Sequence, residues 1–118
     1  MAVKTQMLKG LLEGCVLEVI SRKESYGYAI CEELNESGFA DLNEGTVYPI
    51  LARMEKGGWI ECEKRKSPFG QKRKVYSLTE TGKNRLEDFK ETWKSIKNNV
   101  DNVMKASDEY EDKYEDKE

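Results

Sequence analysis

The chain has 118 residues, a length suited to one domain. AVILMFWYC residues make up 37% and charged residues 36%. The core is therefore modest, and part of the apolar surface is expected to lie against a second copy. No stretch approaches the ~18–20 apolar residues of a membrane span, and Lys and Glu interrupt the apolar start, MAVKTQMLKGLLEGCVLEVI, which argues against a secretory signal.

Cys15, Cys31 and Cys62 are odd in number and form no C-x-x-C pair, against a disulfide framework or zinc site. A reducing, cytoplasmic compartment is expected. Histidine is absent, which removes His-assisted nucleophiles and His metal ligands. No phosphate-cradling glycine motif is present either. An enzyme is disfavoured, and no cofactor or metal is expected.

The net charge of −3 conceals two opposite regions. Residues 107–118, SDEYEDKYEDKE, carry seven acids and two lysines. Between Lys64 and Lys74 stand Lys64, Arg65, Lys66, Lys72, Arg73 and Lys74 with no acid, a strongly positive local field.

In chain order, residues 5–22 read as one amphipathic helix, with Leu8, Leu11, Leu12, Cys15, Val16 and Val19 on a single face. Ser25 is the expected N-cap of a second helix over 26–36. The turn SGFADLN follows, and Asn43 caps a third helix over 44–56 with Val47, Ile50, Leu51 and Met54 inward. Pro49 lies within it and cannot donate to the Gly45 carbonyl. Gly57-Gly58 ends it. Residues 59–63 and 74–78 then read as a β-hairpin with a long basic tip. Thr79 caps a last helix over 80–106. There Leu86, Phe89, Trp93, Ile96, Val100 and Val103 are spaced 3, 4, 3, 4, 3, an a/d seam. The helix is too long for so small a domain to cover, so the seam is read as a dimer interface.

The expected fold is therefore mainly α with a small β-hairpin: a winged helix-turn-helix over 1–78, a dimerisation helix over 79–106 and an acidic, disordered tail over 107–118. In that layout the third helix enters the major groove and the hairpin lies beside it. Candidate DNA contacts on the helix are Asn43, Thr46, Tyr48 and Arg53, and on the wing the six basic residues. Core packing of Tyr48 and a purely capping Asn43 are the bland alternatives.

Gly45-Thr46-Val47-Tyr48-Pro49-Ile50-Leu51, followed by Arg53-Met54-Glu55 and Gly57-Gly58-Trp59-Ile60, resembles the recognition helix of PadR-family transcriptional regulators. Arg73 to Gly82 resembles their strand-to-helix junction, and Tyr26-Gly27-Tyr28 with Ile30 their second helix. The resemblance covers residues 5–106 and places Tyr26 among the DNA-binding residues. It implies a homodimeric repressor on double-stranded, palindromic operator DNA. In drug-sensing members a tryptophan of the last helix lines a pore at the dimer interface, and Trp93 falls there. A planar aromatic or phenolic effector would then meet Trp93, Ile96 and Lys97. Gly10 and Gly14, spaced i, i+4, would leave room for a ring. Those members carry Asp where this chain has Lys97, with Glu13 as the conjectured substitute; flat anions are as well suited as cations. Two alternatives stay open: a repressor without an effector, and a coiled-coil adaptor that does not bind DNA.

Overall fold

The structure, a computed structural model, describes residues 3–115, with side chains described over 3–105. Five helices and three short strands follow one another: α1 Val3–Leu8, α2 Leu11–Arg22, β1 Ser25–Tyr26, α3 Gly27–Glu36, α4 Glu44–Lys56, β2 Ile60–Lys66, β3 Lys72–Leu78 and α5 Glu80–Glu115. Two units result, one ending at Glu87 and one starting at Asp88 within α5.

In the first unit, α2, α3, α4 and the sheet enclose one core. Val16, Leu17, Ile30, Val47, Leu51, Met54 and Ile60 are almost fully buried, and each such side chain is worth about 1.5–3 kcal/mol relative to exposure. The α4 assignment holds as read. The Asn43 side chain accepts from the Thr46 N–H at 3.1 Å. At the other end the Gly57, Gly58 and Trp59 N–H groups close back on Arg53, Glu55 and Met54, and Gly58 takes the left-handed φ of 79° that this closure needs.

Several expectations are corrected. The single helix over 5–22 is broken at Lys9–Gly10. Gly10 has φ 83°, a conformation that costs glycine little and any other residue much. Gly10 is thus a joint rather than the helical partner of Gly14, and its presence needs no ring-sized gap. Ser25 does not cap α3; it is buried and pairs with Tyr76 while Tyr26 pairs with Val75. The hairpin thereby becomes a three-stranded antiparallel sheet ordered β1-β3-β2. The wing strands also reach further than expected, leaving only residues 67–71 as the tip. Finally, α5 runs over Glu80–Glu115, past the end at 106 expected for it. No glycine or proline follows Gly82 to stop it. Residues 116–118 lie outside the described residues.

Thr79 caps α5 as expected, its hydroxyl accepting from the Gly82 N–H at 3.1 Å and donating to the Gly58 carbonyl at 2.6 Å. A Cβ at Gly82 would collide with the Trp59 carbonyl. The guanidinium of Arg85 lies 3.6 Å over the Trp59 ring. The first turns of α5 are thereby fixed to the turn between α4 and β2.

Leu86 is the remaining correction. It is 4% exposed and belongs to the core of its own chain, so it is not a dimer-seam residue. Periodicity reports an apolar face but not whose core that face joins. In the second unit Phe89 is half-buried. Trp93, Ile96, Val100 and Val103 are 43%, 49%, 48% and 63% exposed, and Met104 beside them 60%.

Candidate nucleic-acid interface

The strand register sorts the wing's charges onto two faces. Residues directly opposite in an antiparallel pair share a face, and neighbours along a strand alternate. Lys64 faces Lys74 and Lys66 faces Lys72, continuing the side of the sheet on which Cys62 faces Tyr76. Arg65 faces Arg73 on the other side. All four lysines are exposed. Two directly opposed like-charge pairs repel each other. A polyanion laid along this face would relieve that repulsion.

The arginines are held differently. Arg65 meets Glu24 at 2.7 Å and Glu63 at 3.0 Å. Donating hydrogen bonds to Glu63, then to Glu24, raises its pKa. Its charge is already balanced within the chain, which the acid-free run from 64 to 74 concealed. Arg73 stacks over the Tyr26 ring, 4.5 Å from its centroid, and remains half-exposed. Such stacking is worth ≈ 0.5–1 kcal/mol at an exposed site.

Between wing and helices lies an open cleft of about 380 Å³, lined by Tyr26, Gly27, Tyr28, Tyr48, Lys72, Arg73 and Lys74. It joins the start of α3, the middle of α4 and the start of β3. Gly27 makes it possible: a Cβ there would stand 2.5 Å from the Tyr48 ring. Tyr48 is 43% exposed and so not a core residue. Burial first, then the nearby Glu44, push its phenol above the ordinary tyrosine value, so it stays a protonated donor at neutral pH. Tyr28, which the sequence reading did not single out as a contact, is 53% exposed and joins this cleft. Its exposure depends on the turn of α3 and carries no signal in the sequence alone.

The other helix residues separate. Thr46 is exposed at the start of α4. Asn43 spends its side-chain oxygen on the cap. Arg53 is bound to the Glu13 carboxylate through Nε at 2.7 Å and through its terminal nitrogen at 2.6 Å. It links α4 to α2, and Glu13 is correspondingly occupied. Gly10, Glu13, Thr46 and Arg53 line one groove between α1–α2 and α4. Gly14 is buried within α2. In the second unit Lys97 pairs with Asp101 at 3.0 Å. Among the described residues no cluster of His, Cys, Asp or Glu could hold a metal, and no helix is long and apolar enough to cross a membrane.

A helix-turn-helix formed by α3 and α4, flanked by a two-stranded basic wing, defines a winged helix-turn-helix protein. The model of the PadR-like family of transcriptional regulators matches residues 16–88. The chain belongs to this family, whose members are regulators and not enzymes. It is similar to a PadR-like transcriptional regulator from Bacillus cereus, with 45% identity, TM-score 0.77 and coverage of 84% of this chain and 96% of that one. A Streptococcus transcriptional regulator gives 42% identity, TM-score 0.78 and coverage of 84% and 97%. Bacillus subtilis PadR in complex with operator DNA gives 26% identity, TM-score 0.62 and coverage of 67% of this chain and 45% of that one.

Proposed function

We propose that the chain is a homodimeric repressor that binds a palindromic DNA operator and is released by a planar aromatic or phenolic ligand at the dimer interface. The observation that carries the DNA reading is the exposed four-lysine face of the wing, beside a cleft of tyrosines and cations that ends on α4. Phosphates along such a face bind with little regard to sequence, while the start of α4 meets base edges. The likeness to Bacillus subtilis PadR, solved in complex with operator DNA, supports the DNA-binding reading.

The dimer reading rests on the stripe of Trp93, Ile96, Val100 and Val103, apolar and exposed in the single chain. Contiguous apolar patches of this kind mark association surfaces. Two copies bring two α4 helices to two half-sites, which matches a palindrome. For the effector, Lys97 and Glu13 each have a charged partner. Flat shape and stacking on Trp93 therefore select the ligand more than charge does.

Titrating the chain into a fluorescent duplex at several salt concentrations tests the DNA reading. Log affinity should fall linearly with log salt, by about 0.9 per phosphate contact. Absence of salt-dependent binding would leave the adaptor alternative.

A further inference from the structure

On the side of α4 turned away from the core, the central line of the first turns carries almost no hydrogen-bonding chemistry, and Lys56 enters it only at the last turn. At about 100° per residue, Gly45, Pro49, Ala52 and Lys56 fall on one line, opposite the buried Val47, Ile50, Leu51 and Met54. All four are exposed, as is Thr46, about 100° round the helix from Gly45. The polar residues expected to read bases are engaged elsewhere. The Asn43 oxygen holds the cap, and a Cβ at Gly45 would come within 3.0 Å of that oxygen. Arg53 is bound by Glu13. Tyr48 turns toward Gly27 and the wing cleft. No paired amide or guanidinium is left for the bidentate contacts that usually distinguish adenine and guanine.

What the first two turns of this line offer is small and apolar: the bare backbone of Gly45, the ring of Pro49 and the methyl of Ala52, with the methyl of Thr46 exposed to one side of it. The group in the major groove that such a surface recognises is the C5-methyl of thymine. Gly45 and Ala52 also let the helix axis approach the base edges closely. Building on the DNA-binding reading, we infer that α4 specifies its operator by apolar contact with thymine methyls, with Thr46, Pro49 and Ala52 as the specificity-determining residues.

The test uses the full chain and a duplex that it enriches from a random-sequence pool. Each half-site thymine is replaced in turn by deoxyuridine, which removes the methyl and keeps every hydrogen-bonding group. Binding by the wild-type chain should weaken about fourfold for each contacted methyl, the value of one buried carbon. Thr46→Ser, which keeps the hydroxyl and loses the methyl, should no longer respond at its own thymine, a non-additive result. Unchanged affinity for every deoxyuridine duplex, or enriched half-sites without thymine, would overturn the inference and leave DNA binding intact. Failure to bind any duplex in a salt-dependent way would overturn the DNA-binding reading itself.

Discussion

Arg65 and its lysine neighbours carry the same formal charge but not the same availability. Glu24 and Glu63 neutralise Arg65, whereas the four exposed lysines stand opposite one another across the strands. Lys72→Gln and Lys74→Gln should therefore each flatten the slope of log affinity against log salt by about 0.9. Arg65→Gln should change it much less. Fluorescence anisotropy at four salt concentrations measures all three, and equal slopes for the arginine and lysine variants would contradict the two-faced wing. Gly27 makes a second case at this scale. In Gly27→Ala the new methyl would displace the Tyr48 ring, which is partly exposed and free to swing outward. Duplex binding should weaken while the melting temperature changes little. A large loss of stability would mean that the ring is locked.

Among the elements, α4 was legible to the residue because three independent signals agree: the Asn43 cap, the buried face at helical spacing and the Gly57-Gly58 stop. The α5 start was equally legible from Thr79. Other features left no such trace. The apolar spacing continues through Gly10, so only its positive φ reveals the break between α1 and α2. A two-residue strand such as β1 has no periodicity to read. Of the candidate DNA contacts, the residue types and wing position were readable, but the Glu13–Arg53 pair spans 40 positions and appears only on folding. The anchoring of α5 gives a prediction at this scale. Gly82→Ala forces the first turn of α5 off the Trp59 carbonyl, and backbone cannot yield as a side chain does. A loss of roughly 1–3 kcal/mol is expected, measured by urea unfolding with Asn43→Ala, a cap deletion worth about 1 kcal/mol, for comparison. Gly82→Ala at wild-type stability would mean that this junction is slack.

At the scale of the whole molecule, the proposed dimer seam and effector site share Trp93. A planar dye that stacks on the indole should quench its fluorescence, and Trp93→Ala should abolish dye binding but preserve duplex binding. Trp59, already covered by Arg85, serves as the internal control in the Trp93→Ala chain and should not respond. Quenching that survives Trp93→Ala would place the ligand elsewhere. Leu86 takes no part in this seam, since it closes its own chain's core; the test of association lies further along α5. Val100→Asp with Val103→Asp would bring four carboxylates into an apolar seam, a strongly unfavourable arrangement. The decisive measurement is sedimentation velocity of the wild-type and doubly substituted chains with the same enriched palindromic duplex. Two wild-type chains per duplex, and loss of the complex together with loss of the free dimer in the variant, are the expected results. One wild-type chain per duplex, or a variant that still sediments as a dimer on DNA, would contradict a repressor assembled through α5.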